Sequence, residues 1–319
     1  MKTFHSWQGT SLGLLTALVL SACGGGGSDS GSPVPVKPPV TQPVEVPTEA
    51  GAPALTNNTA TDGLNWLNFR RQQAGLSVLT RNSLIDAAAG GHSNYQKLNT
   101  VTHVQETGKA GFTGVFLLDR LKAVGYATPN YFYGEVISAS TTTSGVYLAE
   151  ELITAIYHRF AIFEPRFKEI GAGASTGANG YTIFTNNFAA NNGYGPGIGK
   201  GNIATWPMDG KTGVLPSFFS DFEEPDPVEG VNEVGYPISV HADADVTLAV
   251  TSFTVKPRNG NNLPVKLLSA ASDPDKTTTR SAASIVPLTV LGAKTVYDVA
   301  FSGTADGVPI SKTWSFTTR

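Results

Sequence analysis

Between residues 58 and 190 the apolar positions change period several times, and the changes outline a run of helices and strands. Leu64, Leu67 and Arg71 fall on one helical stripe with Trp66 and Phe69 beside it. Thr61 or Asp62 can cap that helix, and Gly75 ends it. A second helix starts near Asn82 and runs to Leu98, with Leu84, Ala88, His92 and Tyr95 on one face, which turns His92 toward a core as a hydrogen-bonded buried histidine. His103 follows in the short β-branched segment Val101–Val104. Leu117, Arg120, Leu121 and Val124 make a third amphipathic stripe, closed by Gly125. Tyr131–Ser138 reads as a strand that carries Glu135 behind Gly134. The stretch Glu150–Gly173 organises the rest: Leu148, Leu152, Ile156 and Tyr157 predict a helix that ends in His158-Arg159, an aromatic turn follows to Pro165, and Ile170–Gly173 enters a strand. At a helix C-terminus His158 and Arg159 would serve as a cationic cap. Tyr181–Phe188 alternates as a closing strand.

Past Ala189 the pattern breaks into Gly, Asn and Pro punctuation, so residues 191–230 read as a loop-rich connector with Trp206, Phe218 and Phe219 able to pack back. Glu223–Pro227 reads as an acidic, solvated hinge. From residue 231 to 319, short alternating strands are separated by Asn-Gly, Asp-Pro-Asp and Asp-Gly turns. Tyr297, Val299 and Phe301 oppose Val296, Asp298 and Ala300, which predicts a small β-sandwich. His241 opens a turn-like run and reads as exposed.

The N-terminus is an address. Lys2 precedes the apolar run Leu12–Leu20, too short to span a bilayer and suited to the core of a secretory signal. Cys23 is the chain's one cysteine, so no internal disulfide can form. Residues 24–57 are rich in Gly, Ser and Pro and read as a disordered tether. The remaining chain, about 265 residues, is enough for one large or two medium domains. A net charge of −3 without a basic patch argues against a nucleic-acid partner.

Three resemblances follow from these residues. Leu20-Ser-Ala-Cys23 resembles a bacterial lipobox, which implies removal of residues 1–23 and lipidation of Cys23. With Gly24 next, it implies a lipoprotein held in the outer membrane of a Gram-negative cell, facing the periplasm or the cell surface. Leu67-Asn-Phe-Arg, Ala87–Ser93, Thr102-His, Arg120–Tyr126, Gly134-Glu, His158-Arg and Ile170–Gly173 occur in an order that resembles the CAP (SCP-like) superfamily over residues 58–190. That resemblance implies an α+β fold, an α-β-α sandwich, with two histidines and two acids in a cleft. By position these are His103, Glu135, His158 and either Glu150 or Glu151. Val136 stands where the family usually has Asn. The strands that end in Trp314-Ser-Phe-Thr-Thr318 resemble a bacterial Ig-like domain, a spacer or adhesion module.

Two imidazoles and two carboxylates suit a divalent ion such as Zn²⁺, with His103 and His158 as metal ligands. They also suit a small or lipidic ligand, or general acid–base chemistry in a hydrolase. No Ser or Cys nucleophile is marked by a motif. A surface interaction protein with a vestigial cleft is the remaining expectation.

Overall fold

The computed structural model describes residues 20–21, 49–126 and 132–319. Cys23, the predicted export signal apart from Leu20–Ser21, and most of the tether lie outside the described residues. The first unit contains α1 (Thr59–Gln73), β1 (Thr80–Arg81), α2 (Ser83–Leu98), α3 (Leu117–Ala123), β2 (Phe132–Ser140), α4 (Gly145–Thr154), α5 (Ile156–Ile162), β3 (Glu169–Thr176) and β4 (Thr182–Ala190). The side chains of Asn58, Asn82 and Ser144 cap α1, α2 and α4 by accepting backbone N–H groups that those helix starts leave unpaired.

The sheet order is Leu20–Ser21, β2, β4, β3, β1. β4 runs antiparallel to both β2 and β3, while β1 is parallel to β3. Strand alternation assigns the layers. On β4, Thr185 accepts a hydrogen bond from Ser93 of α2, whereas the ring of Phe184 points at Gly63 of α1. Thus α2 covers one face, joined by α3 through the cluster Ile85, Leu117, Leu121, Tyr126 and Tyr133. α1, with α4 packed on it, covers the other. The result is a helix–sheet–helix sandwich.

The helix α2 lies directly on the backbone of β3. A Cβ at Gly173 would stand 2.2 Å from the amide nitrogen of Gly90, and one at Gly171 2.3 Å from that of Asp86. This contact aims the end of α2, and the loop that carries His103, over the middle of the sheet. Gly173→Ala should push α2 off the sheet and cost roughly 2 kcal/mol or more, read as a lowered urea midpoint. An unchanged midpoint would refute the close-contact argument.

The second unit is made of β5 (Ala204–Trp206), β6 (Lys211–Val214), β7 (Ser217–Phe219), β8 (Glu233–Gly235), β9 (Ile238–His241), β10 (Leu248–Pro257), β11 (Val265–Ser269), β12 (Ala282–Pro287), β13 (Val296–Ala305) and β14 (Val308–Thr318). Two four-stranded sheets, β11-β12-β9-β5 and β10-β13-β14-β6, face each other. The alternation on β13 is as the sequence predicts, with Tyr297, Val299 and Phe301 buried. Strands β5 and β6 come from the stretch expected to be connector; each adds to the edge of one sheet. His241 is buried, not exposed: its Nε2 meets Ser239 Oγ at 2.9 Å and its ring lies against Phe160 and Phe163 of the first unit.

The two units share their interior. One apolar cluster runs from Leu67 of α1 to Phe316 of β14. Another joins Ile156, Tyr157 and Phe160 to Phe218, Val234 and Val286. Glu49, in the last part of the predicted tether, is likewise held: it accepts from Arg70 and Gln73 of α1 and from Lys211 of β6. Those cations hold its carboxyl down at about 2 against the opposing effect of burial.

Candidate functional site

The sequence-predicted residues fall into separate hydrogen-bonded groups. The richest is built on Glu135, in the middle of β2 and 3% exposed. Arg120 of α3 grips both its oxygens at 2.8 Å. His103 Nδ1 donates to Oε1 at 2.9 Å. His92 Nε2 stands 3.6 Å from the same oxygen. Burial alone would raise this carboxyl, but Arg120 and the two imidazoles hold it at about 2, so it is an acceptor-only carboxylate at neutral pH. Arg120 also donates to the His103 carbonyl at 3.0 Å, which fixes the loop as well as the acid.

The other candidates are engaged elsewhere. Glu150 accepts from Trp66 Nε1 and, at 2.8 Å, from Arg70 Nε on α1. Glu151 accepts from Ser138 Oγ at 3.1 Å. Ser138 and Glu135 are an odd number of positions apart on β2, so Glu151 reaches the opposite face of the sheet from the Glu135 side chain.

His158 does not end a helix. The predicted helix breaks at Ala155, whose ψ of 119° is extended, and His158 sits in the first turn of α5. Glu223 creates that start. Its carboxylate accepts from the backbone N–H groups of Ile156, Tyr157 and His158 at 2.7, 2.6 and 3.1 Å, and from His158 Nδ1 at 3.0 Å. A carboxylate on four donors at a helix N-terminus needs no further partner. Within the expected solvated hinge, Glu223 is therefore a buried brace, 1% exposed, while Glu224 beside it stays exposed.

A resident zinc ion does not fit these groups. The Glu135 oxygens already serve Arg120 and His103, and a cation placed there would face the guanidinium. Among the described residues no set of three or more His, Cys, Asp or Glu side chains is arranged to hold a metal ion.

Sequence reasoning named His103 and Glu135 but missed three of their neighbours. Arg120 left a signal, a charged residue on an otherwise apolar stripe. Gln105, which reaches His92, left none. His92 was legible as a buried hydrogen-bonded histidine but not as a neighbour of Glu135. The stretch that follows α2, residues 99–116, exposes Val101, Val104, Phe112 and Phe116, the last 59% exposed, next to exposed Leu98 at the helix end, while His103 within it is 6% exposed.

No family model and no curated protein sequence matches the chain. Solved structures do. An extracellular protein from Bacillus anthracis that contains an SCP domain is 22% identical over 43% of this chain and 44% of its own, with a TM-score of 0.36. The matched segment thus spans less than half of that protein. An outer surface protein of Borrelia burgdorferi is 15% identical over 40% of this chain and 89% of its own, with a TM-score of 0.34. The venom allergen-like protein 4 of Schistosoma mansoni is 12% identical over 44% of this chain and 90% of its own, with a TM-score of 0.28. Identities and scores in this range transfer no activity. No helix among the described residues is long and apolar enough to cross a membrane.

Proposed function

We propose that this chain is an exported CAP-type protein that binds a small amphipathic molecule, with the head group at His103 and the apolar part on the loop above it. One observation carries the reading. Residues 98–116 carry five exposed apolar side chains in the same stretch of chain as a buried imidazole that a carboxylate has already oriented. Large apolar side chains exposed around a polar centre are what ligand-binding surfaces present. The helix–sheet–helix order, together with the motifs at His103, Glu135 and His158, supports the CAP assignment. The β unit is then the Ig-like module, and Cys23 the lipid anchor that holds the molecule on the outer membrane. Both belong to the same proposal.

The test is titration of residues 24–319 with cis-parinaric acid, a fluorescent fatty acid. Saturable binding at micromolar concentration is expected, weakened about tenfold by His103→Ala and by Phe116→Ser, each of which removes one half of the site. Wild-type affinity in both variants, or no saturable binding in the parent, would sink the reading. The fluorescence of residues 24–319 followed against Zn²⁺ should show no saturable change.

A further inference from the structure

The hydrogens around His92 can be placed by deduction. The backbone N–H of Thr113 can only donate, and it donates to Gln105 Oε1 at 2.7 Å. That fixes which end of the Gln105 amide is oxygen. The amide nitrogen then donates to His92 Nδ1 at 2.8 Å and also reaches Thr113 Oγ1 at 3.1 Å. His92 is fully buried, and burial pushes its imidazole down to about 4, so the ring is neutral at pH 7. With Nδ1 accepting, the single ring proton is on Nε2. That nitrogen stands 3.6 Å from Glu135 Oε1, just beyond hydrogen-bond length. The same oxygen takes the Nδ1–H of His103 at 2.9 Å.

We infer that His92 is a positioning residue for the His103–Glu135 pair, held in its tautomer by Gln105. This rests on His103 being the working imidazole. His92 Nε2 lies 3.6 Å from one oxygen of the carboxylate, with the Thr102 backbone also in reach of the ring, while Arg120 grips both oxygens from α3. A carboxylate fixed on both sides keeps His103 as the Nδ1–H tautomer, so that its Nε2 carries the lone pair. A ring that only filled space, stacked on Tyr95 at 6.2 Å, would need none of these polarities.

The experiment records the ¹⁵N imidazole spectrum of residues 24–319 at pH 7, together with cis-parinaric acid affinity, in His92→Leu, His92→Gln, Gln105→Leu and His103→Ala. In the parent, His103 should read as Nδ1–H and His92 as Nε2–H. His92→Leu should mix the His103 tautomers and weaken the probe about five- to tenfold, an indirect effect within the net worth of one ordinary hydrogen bond. His92→Gln, whose amide N–H can occupy the place of Nε2–H, should restore both. Gln105→Leu leaves the imidazole in place and should act like His92→Leu, which decides the matter if the latter does not fold. The inference is overturned if His92→Leu or Gln105→Leu keeps the Nδ1–H signature of His103 and the parent affinity. It is also overturned if His92→Gln restores nothing that His92→Leu loses. Unchanged probe affinity in His103→Ala would instead overturn the binding reading, and the tautomer spectra would still judge His92.

Discussion

Replacing Arg159 by Ala should unfold both units together, with a loss of roughly 3–5 kcal/mol. Arg159 is fully buried in α5 between the units. It donates to the carbonyls of Ile153 and Thr154 in the first unit and to Pro237 O and Ser239 Oγ in the second. Its guanidinium also lies 4.9 Å from the ring centre of Tyr236. Removing it strands several buried acceptors and opens a cavity against Tyr236, and each of these effects is costly. Because both apolar clusters cross the boundary, the damage should not stay local. Hydrogen exchange followed on β4 and on β13 is the measurement. Protection lost equally in both is expected, whereas loss confined to β13 would show that the units fold independently.

Neutralising Glu164 should stabilise the protein, and increasingly so as the pH rises from about 4.5 to about 8. This carboxyl follows α5 and is 4% exposed. Its Oε1 accepts from the backbone of Arg166 at 3.0 Å and of Ala244 at 3.1 Å, while among the described residues Oε2 meets Ser281 Oγ alone, at 3.5 Å. Burial pushes it from 4.5 up to about 8, and nearby Asp243 adds to the rise while Arg71 opposes it. The sign follows from the raised value. The unfolded chain releases this proton near 4.5 and the folded chain holds it to about 8, so the folded state binds more protons in between. The stability it contributes is complete below 4.5 and lost by about 8, a difference on the order of several kcal/mol. His92 acts in the other direction, losing stability as the pH falls from 6.5 to about 4, so the parent's own curve mixes the two. The gap in melting temperature between Glu164→Gln and the parent isolates Glu164. It should be small at pH 4.5 and widest at pH 8. A gap that is constant with pH would show that Glu164 ionises normally.

The sequence by itself determined the local elements. Helical stripes on α1, α2 and α3 and alternation on β4 and β13 are written in neighbouring residues, because a period of 3.6 or 2 is a property of a short segment, though Leu84 of the α2 stripe is 41% exposed and Ile85 is buried instead. His103 and Glu135 were legible for a related reason: each sits in a short motif at the end of a predicted element, and the order of the motifs is itself sequence information. The tertiary structure alone decided what each charged group meets. The helix predicted through His158 is cut at Ala155 because Glu223, far along the chain, supplies acceptors for the backbone N–H groups that a new helix start exposes. Glu150 and Glu151 are neighbours in sequence, yet one bonds α1 and the other β2, because adjacent helical positions point about 100° apart. Glu223 and His241 looked solvated and are buried, since no local pattern records that a second unit closes over them. Burial and charge pairing are long-range quantities. They fix which of several equally plausible His and Glu residues share a site, and here they gather Glu135, His103, His92 and Arg120 while giving His158 to the brace between the units.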